Sequence, residues 1–233
     1  MPSILKSQGF VSSPLSFDIP ATSDNKPAMR ILVLFAHPRF RQSVVQKAML
    51  AAISGLEQVT VRDLYAEYPS FMIDAAREQE MLLAHDLIVL QHPFYWYSSP
   101  AIIKEWLDIA LEEGWAYGNG GNKLHGKFLL NAVSTGGPQD AYHSKGRNRF
   151  QIAALLAPFD QSAYLCGMGW LQPFVIHSGR KLDPATLSGR AEQYRDLIAG
   201  LRDGRLDPLK HLAEGYALPA GFLAAHEVRE HAS

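Results

Sequence analysis

Three short stretches of this 233-residue chain carry groups that could do chemistry. The first, residues 37–43, runs His37, Pro38, Arg39, Phe40, Arg41, Gln42 and Ser43 directly after the apolar run Ile31–Phe35. A loop leaving a buried strand sits beside the positive end of the next helix, where an anionic group can be held, and Ser43 supplies a hydroxyl there. A tight turn shaped by His37 and Pro38 would look the same locally. The stretch lacks the glycine spacing of a dinucleotide fingerprint or a nucleoside-triphosphate loop. The second stretch gathers Phe94, Tyr95, Trp96 and Tyr97 ahead of Ser98 and Ser99, an aromatic surface outside any helix. The third, Ser134, Thr135, Gly136 and Gly137, is small enough for a planar ligand to approach backbone amides, although a plain glycine turn would read alike.

The elements that must position these stretches alternate in type. Ile31–Phe35 is an uninterrupted apolar run of the kind found in strands buried on both faces, and Ser43 caps a helix whose apolar stripe is Val44, Val45, Ala48, Ala52 and Ile53. A second strand begins at Val59, Thr60 and Val61, and Pro69 interrupts pairing after it. Asp74 caps a helix reaching Ala84, and Leu87 to Leu90 form another buried strand. Ser99 before Pro100 signals a helix start, with Ile103, Trp106, Leu107 and Ala110 on its inner face. A strand from Lys127 through Val133 leads into the third stretch, and residues 138–150 make a polar loop bordering the same edge. A short helix near Ile152 to Leu156, a last strand at residues 174–177, and a helix started by Asp183 and Pro184 complete a doubly wound pattern. Residues 1–28 are expected to be irregular, with Met29 marking a boundary or an alternative start. The main domain is expected over 29–203, followed by an extension over 204–233 with a short helix at 222–228.

Composition narrows the classes. At 47% hydrophobic and 19% charged residues the chain can build a sizeable core. Its formal net charge of −1 gives no broad electrostatic basis for binding nucleic acid or an acidic membrane. Cys166 is the sole cysteine, so no intrachain disulfide forms; a reducing, cytoplasmic setting fits, and the thiol's apolar neighbours point to a packed group. No apolar run is long enough to span a bilayer. His85, Asp86 and His92 lack the spacing of a metal site, so none is expected; Asp86 reads as capping or preceding a strand and His85 as a surface residue. Ser134 has no nucleophile-elbow context.

In a doubly wound sheet the three stretches converge at the carboxyl edge, offering a phosphate site, an aromatic surface and a set of small residues with amides. A flavin needs all three. With these stand further motifs: Asp63, Leu64 and Tyr65; Gln91, His92 and Pro93; Pro100 to Trp106; Gly114 to Gly118; and Gly169, Trp170 and Leu171. Together they resemble the flavodoxin-like NAD(P)H:quinone oxidoreductases over about residues 29 to 203, especially the ancillary oxidoreductases of glutathione-regulated potassium efflux systems. The resemblance implies a three-layer α/β sandwich around a five-stranded parallel sheet in order 2-1-3-4-5, a homodimer with sites near the subunit boundary, and bound FMN, with FAD as the alternative. It places His37, Ser43, Val44, Val45 and Gln46 at the phosphate, Phe94, Tyr95, Trp96 and Tyr97 beside the ring, and Ser134, Thr135, Gly136 and Gly137 around its polar edge. Hydride transfer from NADH or NADPH to flavin N5 would precede two-electron delivery to a quinone in the same stacked position. Tyr142 matches the family's active-site tyrosine and would orient the acceptor or stabilise oxyanion charge.

The chain departs from the family at Tyr95, where relatives carry glutamine, and at Gln46, where asparagine is frequent. The animal enzymes' active-site histidine aligns with Asn148 and not with the nearby His143. The reading from sequence is therefore a flavin-dependent quinone reductase. Its alternative is a regulatory subunit of a potassium efflux transporter with secondary reductase activity, held peripherally at the inner face of the cell membrane. A one-electron carrier is a third class, disfavoured by the pattern from Gln91 through Trp106.

Overall fold

The structure, a computed structural model, describes residues 28–232. The segment expected to be irregular at 1–28 thus lies, but for Ala28, outside the described residues. Strands β1 (Ile31–Phe35), β2 (Val59–Asp63), β3 (Leu87–Pro93), β4 (Phe128–Ser134), β5 (Gly169–Trp170) and β6 (Phe174–Ile176) alternate with helices α1 (Val44–Ile53), α2 (Leu64–Glu67), α3 (Ala75–Ala84), α4 (Ala101–Ala110), α5 (Ile152–Leu155), α6 (Ala157–Leu165) and α7 (Pro184–Arg202). A last helix, α8 (Phe222–Ala232), lies in the extension and outruns the expected 222–228.

The sheet is parallel throughout, in order β2-β1-β3-β4-β5, as expected. Its fifth position is shared: β5 pairs with the start of β4 and β6 with its end. Pro173 has no N–H to give a ladder and falls in the gap. The outer side of this edge is covered by the extension, where Leu171 forms an antiparallel bridge to Leu212 and Ala213 N–H donates to Trp170 O at 3.0 Å.

Side chains alternating along each strand feed two cores. Ile31, Val33, Leu87, Val89 and Leu130 pack against α1, α7 and Phe222 of α8; Leu32, Leu34, Ile88, Leu90 and Leu129 pack against α2, α3, α4 and α6. Because both faces are buried, β1 and the first halves of β3 and β4 read as continuous apolar runs. In the second core Glu78 is fully buried, yet it accepts hydrogen bonds from Arg62 Nη2 at 2.7 Å, Tyr68 O–H at 2.6 Å and Trp106 Nε1 at 2.8 Å. Compensated this way, the carboxylate ties β2, α3 and α4 together. Cys166 is packed in this core, and burial pushes its thiol up to about 11.

Four local expectations need correction. Val44 is 64% exposed, because the buried face of α1 is Val45, Gln46, Met49 and Ile53. Pro100, not Ser99, is the N-cap of α4, with no side-chain cap bond. Leu107 is only partly buried. His85 is buried, its ring nitrogens bonded to Met81 O at 2.6 Å and Thr60 Oγ1 at 2.9 Å.

Candidate functional site

At the carboxyl edge of the sheet the loops after β1, β3, β4 and β6 surround a cavity of about 1050 Å³. Of the residues singled out from sequence, His37, Ser43, Val44, Val45, Phe94, Tyr95, Trp96, Tyr97, Ser134, Thr135, Gly136, Gly137 and Tyr142 all line it. Gln46 does not; it stands one layer behind.

On the β1 side, a short 3-10 turn at Phe40–Gln42 delivers the chain to Ser43, whose Oγ accepts from Gln46 N–H at 3.2 Å and starts α1. Gln46 N–H is thereby satisfied, while the amides of Val44 and Val45 make no hydrogen bond among the described residues. These first-turn amides open toward an anion. Arg39 N–H donates to His37 Nδ1 at 3.0 Å, which leaves the proton of the neutral imidazole on Nε2 as a donor. Burial lowers the pKa of His37, favouring that neutral form.

The β3 side carries the aromatic residues on a tight turn in which Tyr95 and Ser98 exchange backbone hydrogen bonds at 3.2 and 2.9 Å. Trp96 and Tyr97 both have positive φ, +48° and +65°, so two non-glycine residues sit in the left-handed region. Such strain persists where surrounding contacts enforce it, often at functional sites. The turn holds Trp96 94% exposed, while Phe94 packs inward with its ring 6.1 Å from Tyr142.

Ser134 ends β4 and is anchored from within the core. Tyr194 O–H donates to Gln91 Oε1 at 3.0 Å, Gln91 Nε2 to Gln46 Oε1 at 2.9 Å, and Gln46 Nε2 to Ser134 Oγ at 2.9 Å. This directional chain starts on α7, crosses α1 and leaves the Ser134 hydroxyl proton available at the cavity wall. Beyond it, the amides of Gly136 and Gly137 have no hydrogen-bond partner among the described residues. Two adjacent unpaired amides suit a carbonyl or anionic ring edge.

The loop after β4 brings Tyr142, half-buried, against Gly137: a Cβ there would lie 3.5 Å from the phenol oxygen. Burial raises the pKa of Tyr142, so the hydroxyl keeps its proton at neutral pH. Asn148 lines the cavity and accepts from Tyr97 O–H at 3.4 Å, whereas His143 stays outside, exposed, its Nδ1 taken by Lys145 N–H. The rim carries Arg39, Arg147, Arg180 and Lys181 and, among the described residues, no acidic side chain. Sequence reasoning missed the segment after β6, which supplies Gly179 to Leu182 to the lining, while the adjacent His177 contacts the lining residues Thr135 and Tyr142. The only available signal was the basic pair after the last strand. Among the described residues no group of three or more His, Cys, Asp or Glu is placed to hold a metal, and no helix is long and apolar enough to cross a membrane.

A doubly wound sheet, a helix N-terminus for an anion, an aromatic turn and free amides at one edge define a nucleotide-type site of the flavodoxin class. The chain belongs to the flavodoxin-like fold family, which it matches over residues 29–198. It is 46% identical over 170 residues, 73% of this chain and 93% of the relative, to the glutathione-regulated potassium-efflux system ancillary protein KefG of Pectobacterium carotovorum. Among solved structures it resembles general stress protein 14 of Treponema denticola in complex with FMN, with 34% identity, a TM-score of 0.69, and coverage of 74% of this chain and 99% of that one. It also resembles an NADPH-quinone reductase from P. pentosaceus, with 31% identity, a TM-score of 0.67, and coverage of 73% and 98%.

Proposed function

We propose that this chain is a flavin-bearing ancillary subunit of a potassium efflux transporter whose cavity reduces quinone-type acceptors with electrons from NADH or NADPH. The observation that carries the ancillary role is the 46% identity to KefG across 93% of that protein. It reverses the order suggested by the motifs alone, which put the reductase first and the regulatory subunit second. The reductase reading keeps its own support in a cavity whose walls match the parts of FMN.

The residues present fit that cofactor. His37, Arg39 and the first amides of α1 suit its phosphate, Phe94 and the turn at residues 94–97 its ring, and Ser134 with the amides of Gly136 and Gly137 its polar edge. Bound FMN would supply the capacity to take a hydride from nicotinamide and pass two electrons onward. The volume, at the top of the usual range for ligand sites, leaves room for a second planar reactant. FAD would also need space for an adenosine half along the basic rim. Tyr142 keeps its phenol proton and can donate it in a hydrogen bond to a developing oxyanion on the acceptor. The same reading assigns residues 29–203 to the oxidoreductase unit and 204–233 to an extension, and includes a homodimer meeting near the sites.

Two measurements separate the roles. Flavin-loaded protein mixed anaerobically with NADH or NADPH should bleach its flavin absorbance and then reduce a quinone; failure of both steps refutes the reductase. Vesicles containing the potassium efflux transporter should release potassium faster when the chain is added, and an efflux rate indifferent to saturating chain refutes the ancillary role.

A further inference from the structure

The end of β6 and the segment after it are joined to the loop after β4 by four hydrogen bonds, and a further bond braces that loop internally. Thr135 N–H donates to Ile176 O at 2.9 Å, Gly179 N–H to Thr135 O at 2.9 Å, and Ser178 N–H to Gly137 O at 2.9 Å. Thr135 Oγ1 donates to Gly137 O at 2.8 Å and lies 3.1 Å from His177 Nδ1. Because the threonine's single proton goes to the Gly137 carbonyl, the histidine must be the donor of the last bond, with its hydrogen on Nδ1. Burial first, and the nearby Arg190 charge second, push His177 down to about 4, so the ring is neutral at physiological pH. That ring packs at a tilt against Tyr142, with centroids 5.5 Å apart.

We propose that His177 is a positioning residue for the cavity: its Nδ1–H locks the Thr135 hydroxyl onto the Gly137 carbonyl, holding the Gly136 and Gly137 amides and Tyr142 in register. The inference rests on the function proposed above for what those groups do, but the lock is a property of the chain and can be read without cofactor. Ser178, at φ +57°, shows that the partner segment adopts a costly backbone conformation where it meets Gly137. Gly179 is confined as well, since a Cβ there would come within 2.8 Å of Val45 Cγ2 and 3.4 Å of Thr135 O. The lock therefore also fixes where Arg180 and Lys181 meet the cavity.

Two substitutions divide the ring from its proton. His177→Asn keeps an N–H near the Nδ1 position and loses the ring; His177→Phe keeps the ring against Tyr142 and loses the donor. Hydrogen exchange is measured on the full chain, without and with FMN, for the amides of Thr135, Ser178 and Gly179. The expected result is exchange faster by roughly twofold to tenfold in His177→Phe, the fold-change of one lost hydrogen bond, and close to wild type in His177→Asn. In the FMN-loaded proteins, the Phe variant should also show a lower kcat for quinone and weaker FMN binding, with the Asn variant retaining both. The opposite order, with Phe retaining protection and Asn losing it, would make His177 a packing residue and overturn the inference. Equal exchange in all three proteins would overturn it too. A wild-type chain that is protected at these amides but binds no flavin would refute the proposed function and leave the lock standing.

Discussion

Replacing Gln46 by leucine cuts the connection between the core and the cavity wall. Gln46 is fully buried and bonds on both sides, accepting from Gln91 Nε2 and donating to Ser134 Oγ, each at 2.9 Å. Leucine fills a similar volume with neither donor nor acceptor. The Gln91 amide then has a buried proton without an acceptor, costing about 1–3 kcal/mol, and the lost bond to partly exposed Ser134 adds about 0.5–1 kcal/mol. Apolar transfer of the leucine offsets roughly 1 kcal/mol. The net destabilisation expected is about 2 kcal/mol, or roughly a 30-fold fall in the folding constant. Equilibrium urea unfolding of the cofactor-free protein reads it directly, as a lower midpoint at unchanged m-value. Gln46→Asn, the residue frequent in relatives, keeps an amide one methylene shorter and should lose about 1 kcal/mol, since it cannot span both bonds. A leucine variant within about 0.5 kcal/mol of wild type would refute this account of the buried chain.

Trp96→Ala should leave stability within about 0.5 kcal/mol, because the indole is 94% exposed, while raising the KM for quinone severalfold in steady-state assays. Arg180→Ala combined with Lys181→Ala should weaken FMN or NADPH binding and reduce its dependence on salt, read by titration at two ionic strengths. His92, wholly buried, is pushed down to about 4 by burial, so between pH 6.5 and 4 the unfolded chain binds a proton that the native chain refuses. Stability is then highest above pH 6.5 and falls as the pH drops, by about 3 kcal/mol for this group alone. His92→Leu should flatten that part of a urea-midpoint profile against pH. Phe222→Ala, which removes the buried ring packed 5.3 Å from Phe128, should cost about 3–5 kcal/mol by the same unfolding assay if the extension is integral to the fold.

The parallel sheet was legible because β1, β3 and β4 bury both faces and so open with consecutive apolar residues, Ile31–Phe35, Leu87 to Leu90 and Phe128 to Leu130. Edge strands give no such signal: β5 is two residues long, and its partner segment Leu212 lies in an extension with no periodicity of its own. The placement of α8 was equally closed to sequence, since Phe222 and His226 find Phe128 only once the chain has returned across the base of the sheet. At the site, residues on loops that leave buried strands were found because topology alone sends those loops to one edge. Gln46 was placed at the phosphate by the family resemblance; the helical turn rotates its side chain inward, where Gln91 joins it to the chain from Tyr194. His177 went unnoticed because its partner Thr135 is 42 residues away and its value lies in a ring proton that no spacing rule reports.

Titration of the cofactor-free chain with FMN, followed by quenching of the flavin's fluorescence, tests the assignment of the cavity most directly. Saturable binding of one FMN per chain at about micromolar or tighter affinity, weakened when Ser43 is changed to alanine, is the expected result. Fluorescence that stays unquenched at millimolar-range FMN, roughly a thousandfold beyond that affinity, in a chain shown by its unfolding transition to be folded, would contradict it.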